Sequence, residues 1–185
     1  MTELTFDVMW ERAKDIPGYF SPKAARKTYQ VAMSCAEGSE FVEIGSYCGR
    51  SSAVLGQVAK AHNCHLTCID NFMFRYGLQQ FLPNLHKLGV EVTLMMMASA
   101  RAVDVFQKHV DLLLVDGQHS AVQQDLDLWL PHLVPRGWLL VHDYGPGWPA
   151  IKRAVNALDY QDRGVFSSLA VRRKIHEHSD PVSVE

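Results

Sequence analysis

The chain has 185 residues, 48% of them hydrophobic and 21% charged, with a formal net charge of −2. This length suits one domain with its own core. The composition excludes a disordered chain, and the near-neutral charge argues against the basic surface of a general nucleic-acid binder. No apolar run approaches the ~20 residues of a membrane helix; Leu112 to Val115 and Trp138 to Val141 are typical of its short runs. The opening residues are mixed polar and acidic, without the basic start and apolar centre of a secretion signal, so the expected compartment is the cytoplasm. Cys35, Cys48, Cys64 and Cys68 are therefore expected as reduced thiols. His62 to Cys68 offers no second ligand pair at zinc-finger spacing.

The N-terminal stretch from Thr2 to Ala36 reads as helical, interrupted at Ile16-Pro17-Gly18, where the residue before proline disfavours helix. Ser21 followed by Pro22 is a cap and first-turn pair for a second helix. A first strand is expected at Glu40 to Ile44. A helix from about Ser51 to His62 should follow, with Ala53, Val54, Val58 and Ala61 inward. Strand two is His65 to Ile69, then a helix from Tyr76 to Leu88 stopped by Gly89. Strand three is Val90 to Met96, a short helix is Ala100 to Lys108, and strand four is Asp111 to Val115. A helix at Val122 to Leu130 ends at Pro131, strand five is Trp138 to Val141, and a helix spans Pro149 to Leu158. Arg163 to Ile175 reads as one or two antiparallel strands, and the polar tail from His176 as frayed. The alternation predicts an α/β, Rossmann-like, doubly wound sheet, mostly parallel, with helices on both faces. Residues 1–38 would be N-terminal helices, 39–175 the core and 176–185 a tail.

In such sheets ligands sit beyond the carboxyl ends of the strands. The first strand-to-helix turn is Phe41 to Ser52, F-V-E-I-G-S-Y-C-G-R-S-S. Gly45 and Gly49 permit a tight turn and close approach of a ligand, and Ser51 or Ser52 can cap the helix. Asp70 follows strand two, 21 residues after Gly49, where a carboxylate can accept the hydroxyls of a ribose. The dinucleotide fingerprint G-x-G-x-x-G is missing, and no G-K-[ST] marks a P-loop. Glu43 just before the glycines suits a cationic amino-acid head better than a pyrophosphate.

Strand four runs into Asp116-Gly117-Gln118-His119 and strand five into His142-Asp143-Tyr144. Asp116 and Asp143 could share a cation with His142 as third ligand, Mg²⁺ or another divalent ion. His119 stands three residues after Asp116, and an imidazole is the side-chain type best suited to a general base near neutral pH. The competing reading is a capping role, with Asp116 or Ser120 starting the helix at Val122. Trp10, Tyr19, Phe72, Tyr144 and Trp148 are aromatic candidates for covering a substrate, and the loop Tyr144 to Trp148 is the leading candidate for its wall.

The pattern E-x-G-x-x-x-G-x-S, together with D-G-x-H and H-D-Y, resembles small class I S-adenosylmethionine-dependent methyltransferase domains. Relatives include metal-dependent sugar O-methyltransferases, and Glu43 to Val54 resembles the glycine-rich turn of catechol O-methyltransferase. The resemblance spans about Ile16 to Ile175. It implies that Glu43, Gly45, Tyr47 and Ser51 surround the methionine part of the cofactor, with Ser46 and Gly49 in the same turn. It places Asp70 and Asn71 at the ribose, Ala98 and Ser99 at the adenine, and Asp116 at the border of cofactor and metal. Asp116, His142 and Asp143 would hold the metal, His119 would be the catalytic base, and Tyr144 and Trp148 would meet the substrate. His142 and Tyr144 stand where metal-dependent relatives usually carry a second acid or an asparagine. The antiparallel end is expected to be shorter than the family's two-strand finish. The activity so implied is O-methylation of a small-molecule or sugar hydroxyl, without nucleic-acid or membrane partners, and a homodimer is compatible with it. Metal-independent or N-methylation, a non-catalytic cofactor-binding module, and a nicotinamide oxidoreductase are the alternatives.

Overall fold

The computed structural model describes residues 4–175; the expected tail from His176 and the helix start at Thr2 lie outside them. In chain order the described residues form α1 (Phe6–Ala13), α2 (Pro22–Met33), β1 (Glu40–Ile44), α3 (Arg50–Ala61), β2 (His65–Ile69), α4 (Arg75–Lys87) and β3 (Thr93–Met95). There follow α5 (Ser99–Ala102), β4 (Val110–Val115), α6 (Val122–Trp129), β5 (Leu133–Val141), α7 (Pro149–Asn156), β6 (Gln161–Phe166) and β7 (Leu169–Arg173). The sheet order is β3-β2-β1-β4-β5-β7-β6. The first five strands run parallel, and β7 is antiparallel to both β5 and β6.

Strand alternation divides the core in two. Phe41, Leu112, Leu114 and Leu140 face one layer, shared with residues of α1, α2 and α3. Val42, Ile44, Leu113, Val115, Leu139 and Val141 face the other, shared with α6 and α7. Both faces of the central strands are covered, which is why β4 reads as an almost continuous apolar run. The only charged residue facing inward from β1 near its carboxyl end is Glu43, which lies on the first face.

Several boundaries differ from the sequence expectation. The antiparallel finish is complete, since β6 and β7 form two strands of six and five residues. Strand five begins at Leu133 rather than Trp138. Pro135 and Gly137 look like breakers, but the pairing with β4 shifts register there and Arg136 takes φ 62°, so the missing proline N–H falls in a bulge. Strand three shrinks to Thr93–Met95 at the sheet edge, and the helix after it is Ser99–Ala102 rather than Ala100 to Lys108. Helix α3 is capped by Gly49, with φ 91° and no side-chain bond, so Ser51 and Ser52 lie within its first turn instead of capping it. That helix is buried on all sides from Ser51 to Ala59, while Ala61 is exposed. Ser21 does cap α2, its hydroxyl accepting from the Ala24 N–H at 3.2 Å.

Candidate active site

The carboxyl ends of β1, β2, β4 and β5 bring the polar clusters together, and the turn after β1 is the tightest part. Gly45 has φ 87°, and a Cβ on it would lie 2.2 Å from the carbonyl oxygen of Asp116. The turn is thus pressed against the end of β4, where the Asp116 N–H donates to Ile44 O at 2.8 Å. The Asp70 carboxylate clamps it from the other side. One oxygen accepts from the N–H groups of Ser46 and Tyr47, each at 2.9 Å, and the other from Phe72 N at 2.6 Å. Asn71 folds on itself, accepting from Met73 N at 3.0 Å. Three non-glycine residues at these strand ends, Tyr47, Phe72 and Asp143, have positive φ of 46°, 47° and 55°. Such conformations persist where surrounding structure enforces them, commonly at functional sites.

Glu43 is fully buried beneath the turn. Its Oε2 accepts from the hydroxyls of Ser46, at 2.8 Å, and Ser52, and lies 3.5 Å from Cys68 Sγ. Its Oε1 is buried without a hydrogen-bond partner. Burial pushes the carboxyl upward, against the pull of Ser51, Ser52, Ser46 and Cys68. A buried acceptor left open beside the turn calls for an N–H donor, preferably a cationic one.

At the neighbouring strand ends, His142 lies between two carboxylates. Its Nδ1 is 2.9 Å from Asp116 Oδ1 and 3.4 Å from Asp143 Oδ1. Burial disfavours its charged form, but the two aspartates outweigh that and push its pKa up to about 10. The ring is therefore an imidazolium, its Nδ1–H donating to Asp116 and its Nε2–H to Ser168 Oγ at 3.2 Å. Asp143 is held below the usual carboxylate range by His142, with burial opposing and His119 adding. Its other oxygen, Oδ2, accepts from His119 Nε2 at 2.8 Å. A carboxylate only accepts, so Nε2 carries a proton, and Nδ1 is the ring nitrogen left to take one from a ligand. The Trp148 ring lies over His119 with centroids 3.7 Å apart.

His119 does not belong to α6. It opens a short 3₁₀ turn, His119–Ala121, and α6 starts with Ala121 as an uncapped N-cap. Neither Asp116 nor Ser120 caps that helix, which leaves Asp116 to the strand-end cluster. The N-terminal layer closes against the same rim. Arg50 Nε donates to Ile16 O at 2.6 Å and Nη1 to Phe20 O at 3.4 Å, and Phe20 packs on His142 with centroids 5.1 Å apart.

Other expected residues lie elsewhere or face away. The Tyr144 hydroxyl donates to Asn156 at 2.7 Å, and its ring packs with the second core layer under Arg172. Trp10 stacks on Phe6 and Phe72 is buried against Phe81. Tyr19 and Trp148 remain accessible, at 91% and 45% exposure. Ala98 and Ser99 follow β3, and the Ser99 hydroxyl donates to the buried Asp125. Ser168, Phe20 and Asp125 carry no motif signal, because they reach the site from the turn between β6 and β7, the N-terminal loop and α6 only through the fold.

Among the described residues, Asp116, His142 and Asp143 form a group able to hold a metal ion, with ligand atoms all within 4.8 Å of one another. Two carboxylate oxygens and an imidazole nitrogen fit a divalent ion chemically. An ion there must displace the proton on His142 Nδ1.

This sheet order, with a glycine turn after the central strand and acids at the ends of β2, β4 and β5, defines a class I S-adenosylmethionine-dependent methyltransferase fold. The chain belongs to the methyltransferase domain family, whose model matches residues 42–144, more than half its length. Solved structures agree on the fold. The methyltransferase PaMTH1 of Podospora anserina, solved with S-adenosylhomocysteine, superposes with a TM-score of 0.75 at 15% identity, over 92% of this chain and 87% of that one. The O-methyltransferase TomG of Streptomyces achromogenes, involved in tomaymycin synthesis and solved with S-adenosylmethionine, gives 0.69 at 13% identity over 95% and 92%. An rRNA methylase of Streptococcus thermophilus gives 0.66 at 16% identity over 86% and 100%.

Proposed function

We propose that this protein moves the methyl group of S-adenosylmethionine to a hydroxyl oxygen of a small molecule or sugar, with His119 as general base. The observation that carries this is the His119–Asp143 pair, at the same strand-end rim as the clamped glycine turn. The buried, unpartnered Oε1 of Glu43 supports a role for this acid as the counter-charge of the ammonium of the methionine moiety, and Asp70 would meet the ribose. The neighbours solved with S-adenosylmethionine or S-adenosylhomocysteine support the same donor.

The acceptor oxygen attacks the sulfonium methyl in line. A C–O bond forms, the C–S bond breaks, and its electron pair stays on sulfur as S-adenosylhomocysteine. His119 Nδ1 takes the hydroxyl proton. Asp143 holds the ring in that tautomer, and Trp148 packs over it as a wall that limits water. Orientation of the two reactants supplies about 7–11 kcal/mol of barrier lowering, and the base about 10²–10⁴-fold in rate. The net charge of −2 favours a small acceptor over nucleic acid.

Asp116, His142 and Asp143 would hold a divalent ion, whose chemistry would be to acidify an acceptor with adjacent oxygens. A second reading rests on His142 itself: its imidazolium already lies between the two carboxylates, and it lets the same site work without metal.

The test is a thermal melt with S-adenosylhomocysteine in Mg²⁺ and again in EDTA, followed by a methyl-transfer screen of catechols and sugars. At 100-fold over Kd the ligand should add about 2.7 kcal/mol of stability. Stabilisation by S-adenosylhomocysteine in both buffers is the expected result, and no shift in either would overturn the methyltransferase reading. Turnover abolished by EDTA and restored by Mg²⁺ supports the metal-assisted form, whereas unchanged turnover in EDTA supports the imidazolium form.

A further inference from the structure

Asp125 has no part in the chemistry described so far. It lies on α6, is only 2% exposed, and among the described residues no charged side chain bonds to it. Its contacts point to the cleft. One carboxylate oxygen accepts the hydroxyl proton of Ser99, the first residue of α5 beyond β3. The other faces the turn after β4, where a Cβ added to Gly117 would come within 3.5 Å of it. Ser99 is also held by its backbone, its carbonyl accepting from Trp129 Nε1 at 3.3 Å and from Val103 N at 3.1 Å. Ser99 itself is half-buried, whereas its partner Asp125 is buried.

A serine hydroxyl is ordinarily ambivalent, one donor and two acceptor lone pairs on a freely rotating bond. Here the hydrogen is committed to an interior carboxylate, and only lone pairs remain for a neighbour. We propose that Asp125 is a positioning residue that fixes Ser99 as an acceptor, so that the base subsite of the cofactor selects a purine carrying an exocyclic amino group. The inference rests on the methyltransferase reading, which puts the adenine beside Ala98 and Ser99. Asp125 extends that reading, because the selectivity comes from a residue that touches no cofactor. A 6-oxo purine would face the Ser99 lone pairs with a carbonyl oxygen, and two acceptors without a proton between them repel.

The experiment compares S-adenosylhomocysteine with its deaminated 6-oxo counterpart, S-inosylhomocysteine, by titration calorimetry on the whole chain. The proteins are the wild type, Asp125→Asn and Ser99→Ala. The wild type should bind the 6-oxo ligand about 10- to 100-fold more weakly, the effect of one unpaired polar group in a partly buried site. In Asp125→Asn an amide N–H can donate to Ser99, which frees the serine hydrogen to face a carbonyl, so the ratio should fall to within a few-fold of one. Ser99→Ala should lower the ratio as well, and it removes only a half-buried hydroxyl should the Asn variant fail to fold. A role confined to tying α5 to α6 would weaken both ligands equally and leave the ratio at the wild-type value; that result would overturn the inference. So would an unselective wild type that binds both ligands. A wild type that binds neither ligand removes the methyltransferase reading, and this inference with it.

Discussion

Replacing Gly45 by alanine tests the claim that the turn after β1 and the end of β4 are one rigid unit. The new Cβ would lie 2.2 Å from the Asp116 oxygen, 2.5 Å from its carbonyl carbon and 2.7 Å from Gly117 Cα. All three are backbone atoms, so no side chain can rotate away. The φ of 87° adds a left-handed strain of about 1–2 kcal/mol for a residue with a Cβ, and overpacking against an unyielding neighbour adds about 1–3 kcal/mol. The total of roughly 2–5 kcal/mol corresponds to a melting temperature lowered by about 4–20 °C for a chain of this size. Gly49→Ala is the comparison. Its φ of 91° carries the same strain, but the nearest atoms at 3.2–3.6 Å belong to the Phe81 and Leu85 side chains, which can shift. The melt should therefore rank wild type above Gly49→Ala above Gly45→Ala. Only Gly45→Ala should also disturb Asp116, and so reduce S-adenosylhomocysteine affinity and the response to Mg²⁺ together. Gly45→Ala melting as high as Gly49→Ala, with ligand affinity intact, would refute the reasoning.

Three further outcomes are expected. Because the folded-state pKa of His142 is raised from 6.5 to about 10, its stabilisation is fully present below pH 6.5 and is lost as pH rises through about 10. Urea unfolding in EDTA at pH 6, 8 and 10 should show the wild type losing more stability than His142→Gln, and parallel curves would contradict the imidazolium assignment. Glu43→Gln should leave the ligand-free melt nearly unchanged, since it removes a charge that burial disfavours. It should weaken S-adenosylhomocysteine by roughly tenfold or more, the cost of a lost charged hydrogen bond of about 1.5–3 kcal/mol, and equal affinity would separate Glu43 from the ligand. His119→Ala should slow methyl transfer about 10²–10⁴-fold while S-adenosylhomocysteine binds as before. A rate within a few-fold of wild type would assign the base elsewhere.

The elements most legible in the sequence were those with a local cause. Ser21-Pro22 starts α2 because cap and first-turn preferences act within four residues, and β1, β2 and β4 are apolar runs bounded by polar turns. The misread boundaries had non-local causes. Pro135 and Gly137 signal a break, yet β5 continues through them because its pairing with β4 shifts register at that point. Ser51 and Ser52 look like caps, but Gly49 turns the chain first, and the Ser52 hydroxyl goes to Glu43 beneath. Tyr144 follows a strand next to a candidate ligand, and its direction is set by Asn156, twelve residues later.

The sequence by itself determined the alternation of strands and helices, the glycine turn with its acid, and which residue types stand after each strand. These follow from period, propensity and spacing, which are properties of neighbours along the chain. Only the tertiary structure decided that His142 lies between Asp116 and Asp143, that His119 gives Nε2 to Asp143, and that Asp125 bonds Ser99 from beneath. Each of those contacts joins residues from different elements or strand ends, and parallel strands meet only through crossovers whose packing no local pattern encodes. Charge and proton position follow from that packing, because a carboxylate 2.8–2.9 Å away, in a partly buried site, outweighs any preference written into the residue alone.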